Sequence, residues 1–90
     1  MTQWHIYLLE CADGSFYTGI AIDVAQRFAA HQAGNGARYT RSHKALRLLA
    51  STPVGSRADA TRAEMAIKRL PKAKKLDAVR ALASTTDCSP

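Results

Sequence analysis

Short apolar runs around an Asp-Gly turn signal, then segments of helical period each opened by a capping residue, predict an α+β domain. Its expected form is a three-stranded antiparallel sheet flanked by helices, in the order β-β-α-β-α-α. Trp4 to Cys11 (WHIYLLEC) is aromatic and aliphatic and stops at Ala12-Asp13-Gly14-Ser15; Ser15 to Ile20 (SFYTGI) follows at once. Two such runs around Asp-Gly read as a hairpin. Asp23 then caps a first helix, with Gln26 three residues on. Val24, Ala25, Phe28, Ala29 and Gln32 are the expected buried stripe and Gly34 the stop.

Residues 35–45 (NGARYTRSHKA) show no period and read as a basic, aromatic-bearing loop. Leu46 to Thr52 is a third strand, ended by Pro53 and Gly55. Ser56-Arg57-Ala58-Asp59 caps a second helix running to about Leu70, with Ala60, Ala63, Ile67 and Leu70 inward. Pro71 breaks it and opens a third helix, 72–83, that buries Leu76, Val79 and Leu82. Residues 84–90 are expected to be a disordered tail, which leaves 1–83 as the folded domain.

Ninety residues allow a single core, one that buries about 60–65% of its unfolded surface. The 47% hydrophobic content is that of a globular chain. Net charge is +6 and uneven: residues 1–26 hold Glu10, Asp13 and Asp23 and no Lys or Arg, so all thirteen basic residues lie from Arg27 onward. A basic surface beside a less charged one suits a polyphosphate partner. With only Cys11 and Cys88, a structural disulfide is not expected. The N-terminus lacks the basic region and cleavage site of a signal peptide, and no apolar run approaches the ~20 residues that span a bilayer. A cytoplasmic monomer with no membrane partner is the expectation.

Six residues belong together. Tyr7 and the Tyr17-Thr18-Gly19 run fall on the two strands of the hairpin; Arg27 and His31 are four apart on one helix face; Glu64 is mid-way along the second helix. Here the sequence resembles the GIY-YIG endonucleases, and most of all their small stand-alone bacterial members. HIY (5–7), YTG (17–19), DVAQRFAAH (23–31), the GARYTR loop and AEMAIK (63–68) occur in family order between about Trp4 and Lys75. His5 and Thr18 depart from the name motifs, and SHKAL (42–46) departs from a Pro-containing stretch.

The resemblance implies metal-dependent hydrolysis of a nucleic-acid phosphodiester, of DNA before RNA, with a structure-specific or repair role. Tyr7, Tyr17, Arg27, His31 and Glu64 would be the catalytic set. Tyr17 has the family's general-base role, and Glu64 would bind Mg²⁺ or Mn²⁺. The residues' own chemistry agrees. One carboxylate with waters and phosphate suits Mg²⁺, and an Arg fork suits developing phosphoryl charge. Tyr17, with a pKa near 10, can take a proton from water only where nearby cations favour its phenolate.

Taken singly, each residue has an ordinary structural alternative: His31 as a helix cap, Glu64 as the i,i+4 partner of Lys68. Arg38, Tyr39, Arg41, Lys44 and Lys68 are the candidate nucleic-acid contacts. Lys68, Arg69, Lys72, Lys74 and Lys75 together read as a solvated face that also tracks phosphates and specifies nothing. The rival reading is a non-catalytic nucleic-acid-binding module on the same fold. A targeting protein partner is a further expectation, since larger family members append separate binding domains.

One structural consequence is specific. With an even loop centred on Asp13-Gly14, Tyr7 would lie opposite Ile20 and Tyr17 opposite Glu10, placing the tyrosines on opposite sheet faces. A shared site therefore requires an odd loop or a bulge near residues 10–16.

Overall fold

A computed structural model describes residues 3–35 and 43–87, with side chains as far as residue 82. The elements are β1 (Trp4–Cys11), β2 (Phe16–Ala21), α1 (Val24–Gln32), β3 (Ala45–Gly55), α2 (Arg57–Lys68) and α3 (Lys72–Asp87). The strands form one antiparallel sheet in the order β2-β1-β3. This is the α+β arrangement anticipated from the sequence.

The hairpin has the odd loop that a shared tyrosine face requires. The Cys11 N–H donates to the Ser15 carbonyl at 2.8 Å, which encloses three residues, Ala12, Asp13 and Gly14. Gly14 takes φ +85°, the left-handed position of a three-residue hairpin loop. Asp13 Oδ1 accepts from the Ser15 amide at 3.0 Å and from its hydroxyl at 2.6 Å, which locks the turn. Tyr7 consequently pairs with Gly19, and Tyr17 with Leu9. Leu9 and Tyr7 are two apart on β1, so both tyrosines project from the same face.

β1 is the central strand and is covered on both faces, which is why Ile6, Tyr7, Leu8 and Leu9 are all fully buried. Ile6 and Leu8 pack with Ile67 of α2 and Val79 of α3, joined by Phe16, Ile20, Ala63, Leu76 and Leu82. Tyr7 and Leu9 pack on the opposite side with Ala21, Ala45, Tyr17 and the α1 residues Val24 and Phe28. The helices are thus divided, one on the tyrosine face and two on the other.

Four expectations change. The buried stripe of α1 is rotated: Ala25, Ala29 and Gln32 are exposed, whereas His31 is buried and Arg27 half-buried. Two large apolar side chains, Val24 and Phe28, suffice to dock this nine-residue helix, and the polar residues beside them turn toward the tyrosines.

β3 does not end at Thr52 but runs through Pro53 to Gly55. It is an edge strand, and the pairing shifts between Trp4 opposite Gly55 and His5 opposite Pro53, so the missing N–H of Pro53 is tolerated. α3 continues to Asp87, four residues into the expected tail; nothing in Ala83-Ser84-Thr85-Thr86 is a Gly or Pro that would stop it.

The basic run is not uniformly solvated either. Lys75 Nζ donates to the carbonyls of Ile67 and Lys68, both at 3.1 Å, at the C-terminal end of α2. Lys72 Nζ lies 4.8 Å from the Phe16 ring centroid. Removing a cation that satisfies orphan helix carbonyls costs stability. Lys75→Met is expected to lower unfolding free energy by about 1–2 kcal/mol while barely altering nucleic-acid binding. Arg69→Ala, at an exposed C-cap, should do the reverse. Urea denaturation beside a binding titration separates the two.

The remaining caps follow the sequence. Asp23 accepts from the Gln26 amide at 3.0 Å, and Ser56 with Asp59 forms a complete capping box. Cys11 is buried and free. Among the described residues no helix is long and apolar enough to cross a membrane.

Candidate active site

Three rings meet on the α1 face of the sheet. The Tyr7 hydroxyl is 2.8 Å from His31 Nε2, and both residues are only 1% exposed. The Tyr17 ring centroid lies 5.1 Å from that of His31 and 6.3 Å from that of Tyr7, at tilted angles. Arg27, one turn before His31 and half-buried on α1, acts electrostatically on Tyr7. Glu64 enters from α2 and acts electrostatically on both tyrosines.

Electrostatics assign the protons. Burial, followed by the neighbouring Tyr17, pushes the Tyr7 hydroxyl up to about 12, although the Arg27 guanidinium works against this. Tyr17 is also raised, by burial first and by Glu64 second, and again Arg27 pulls it down. His31 is lowered, by burial and then by Arg27. At neutral pH the resting site therefore holds two phenols and a neutral imidazole. The Tyr7 hydroxyl and His31 Nε2 share one hydrogen bond at 2.8 Å. The Arg27 guanidinium, whose planar fork matches an oxyanion, acts on both phenols beside it.

Gly19 has a definite role in this packing. A Cβ built there would stand 2.4 Å from the Tyr7 hydroxyl oxygen, 2.5 Å from Tyr7 Cζ and 3.0 Å from Tyr17 Cε2. The Tyr7 ring lies across the bare backbone of its own cross-strand partner. Gly19→Ala must therefore displace a buried ring and break its bond to His31. A loss of about 1–3 kcal/mol is expected, read as a lower urea midpoint with an unchanged slope. The near-ultraviolet tyrosine dichroism should change as well.

Glu64 has 20% of its side chain exposed and lies 3.5 Å from Lys68 Nζ, so the i,i+4 pair exists. Among the described residues no group of three His, Cys, Asp or Glu side chains could hold a metal. That donor set does not suit Zn²⁺, which needs at least three protein ligands. It does suit a hard cation that keeps its waters and takes one carboxylate.

Of the other candidate contacts, Lys44 is exposed beside the hairpin turn, where its carbonyl accepts from the Ala12 amide at 2.7 Å. His43 stands 3.5 Å from Asp13 at the same turn. Arg38, Tyr39 and Arg41 lie outside the described residues.

Tyr7, Tyr17, Arg27 and His31 thus share one side of the sheet, with Glu64 acting from α2. Comparison with known proteins agrees. The model of the GIY-YIG catalytic domain matches residues 3–77. A UPF0213 protein of Cupriavidus pinatubonensis is 57% identical over 74 residues, 82% of each chain. The UPF0213 protein YhbQ of Escherichia coli O8 is 47% identical over 75 residues, 83% of this chain and 75% of its own length. The solution structure of a UPF0213 protein from Bacillus halodurans superposes with a TM-score of 0.54 at 38% identity, covering 97% of both chains. A protein of known solution structure from E. faecalis gives 0.61 at 30%, covering 91% of this chain and 88% of its own. A match across most of the chain, and relatives 47–57% identical over more than four-fifths of it, leave one assignment: this chain belongs to the GIY-YIG catalytic-domain family.

Proposed function

We propose that the protein is a divalent-metal-dependent endonuclease that hydrolyses phosphodiester bonds, with DNA the favoured substrate and RNA the second. The observation that carries the reading is the convergence of two tyrosines, a histidine and an arginine on one face, with a carboxylate acting on both phenols. Hydrolysis needs a base for water, charge stabilisation on the phosphoryl group and a way to position the scissile bond.

Tyr17 is the group suited to accept the proton from water. Tyr7 is less suited, being the more buried phenol and already committed to His31. Arg27 pulls the pKa of both phenols down, and its fork would meet the phosphoryl oxygens. Tyr7 and His31 would orient the water or donate toward a phosphate oxygen. Glu64 would carry Mg²⁺ or Mn²⁺, which when bound lends positive charge to the phosphoryl and departing oxygens. Lys44 and Lys68, with Arg38, Tyr39 and Arg41, would follow the backbone on either side.

The Glu64–Lys68 ion pair is the one observation that favours the rival, a binding module in which the carboxylate is only structural. A single panel separates the two readings. Single-stranded, duplex, flap and junction DNA and matching RNAs are incubated with Mg²⁺, Mn²⁺ or EDTA. Cleavage that requires metal supports the nuclease; binding without cleavage under every condition supports the module.

A further inference from the structure

Next to the tyrosine cluster a cleft of about 540 Å³ opens between the end of β2 and the first turns of α1. Its walls are Ala21, Ile22, Asp23, Gln26, Arg27 and Ala30. Two of these tie it to the site already described. Arg27 lines the cleft and acts electrostatically on Tyr7 and Tyr17. Ala21 lies two residues beyond Gly19 on the same face of β2.

The chemistry of the walls is mixed in a selective way. Ile22 is 52% exposed at the rim, an aliphatic surface beside the site arginine. Ala21 and Ala30 continue that apolar surface. Gln26 supplies an exposed amide that both donates and accepts, the side chain that pairs with a base edge. Asp23, whose Oδ1 is engaged by the Gln26 amide, sets a carboxylate at the mouth. A carboxylate repels a phosphate and tolerates a base, whose exocyclic amine it can accept from. The backbone is therefore kept on the Arg27 side while a flat, uncharged, edge-bearing group fits between Ile22 and Gln26. The volume is that of a small-molecule pocket, ample for one nucleoside.

The geometry points to a subsite for an unpaired nucleobase adjacent to the scissile phosphate. This rests on the nuclease reading above and narrows it: the substrate class is single-stranded, frayed, flapped or mismatched DNA rather than perfect duplex. An enzyme that takes a base into a pocket must unstack it, and this costs least where the base has no partner.

The test reads binding in EDTA, so it does not depend on cleavage. Short single-stranded oligonucleotides carrying one 2-aminopurine, scanned along the chain, are titrated with the protein. At one position the fluorescence should rise several-fold as the base leaves its stack. An abasic residue at that position should weaken binding about 3–10-fold. Ile22→Ser and Gln26→Ala, both exposed sites that leave the fold intact, should each remove most of the rise. Lys74→Ala, on exposed α3, should retain it.

A rise that survives in both cleft variants overturns the proposal, because the base then sits elsewhere. Equal affinity for abasic and intact DNA overturns it too and frees the cleft for a peptide side chain. Base-dependent binding that needs Ile22 and Gln26, combined with no cleavage in any metal, supports the subsite and removes the nuclease reading. The two failures are thus distinguishable.

Discussion

Glu64→Ala is expected to abolish cleavage while leaving the fold and the binding of DNA nearly unchanged. Glu64 is the carboxylate that acts on both tyrosines, and among the described residues no group of three His, Cys, Asp or Glu side chains could hold a metal. If Glu64 holds a cation that neutralises phosphoryl charge, its removal should cost more than one transition-state donor, hence more than about 10²–10³ in the single-turnover rate. Folding should survive because the Lys68 pair is a surface ion pair worth at most about 1 kcal/mol. Lys68→Ala is the necessary partner experiment. It breaks the same ion pair but keeps the carboxylate, so it should weaken binding modestly and leave the metal-saturated rate close to wild type. If Glu64→Ala keeps more than a few per cent of activity in Mg²⁺, the metal assignment falls and the ion pair with Lys68 remains as the role of Glu64.

The sequence made some of this arrangement visible and hid the rest for identifiable reasons. The hairpin and its odd loop were legible because Asp13-Gly14 marks the turn and two tyrosines can share a face in only one register parity. The i,i+4 spacing of Arg27 and His31 put them on one helical face. It could not say that this face turns inward, since a period of apolar residues selects Ala25 and Ala29 as readily as Val24 and Phe28. His31 is inside because the Tyr7 hydroxyl meets its Nε2 there, and Arg27 is half-buried one turn before it, a tertiary fact with no local signature. The passage of β3 through Pro53 depends on its being an edge strand, and strand order is not written in periodicity. The Lys75 bonds to α2 carbonyls hid in a run of like charges for the same reason. The motif marks Gly19 without saying why; only the path of the Tyr7 ring shows what its missing Cβ makes room for.

Arg27→Ala separates chemistry from affinity. Neutralising Lys44, Lys68, Arg38 or Arg41 should weaken binding roughly uniformly across sequences. For every phosphate that is no longer neutralised, the salt slope should fall by about 0.7–0.9. Arg27→Ala should instead leave binding in EDTA within a few-fold and cut the single-turnover rate by on the order of 10²–10³.

The pH profile adds a sign that a mere anchor would not produce. Arg27 pulls the pKa of both Tyr7 and Tyr17 down, so its removal moves phenolate formation to higher pH. If Tyr17 must lose its proton for the reaction, the rate rises with pH toward a plateau, and in Arg27→Ala that rising limb shifts to more alkaline pH. His31 moves the same way, because Arg27 is the second cause, after burial, holding it down. Arg27→Lys retains the charge without the fork. It should bring the limb back toward its wild-type position while the plateau rate stays low. A variant that binds as weakly as it cleaves, with an unmoved pH limb, would identify Arg27 as one more phosphate anchor and favour the binding module over the nuclease.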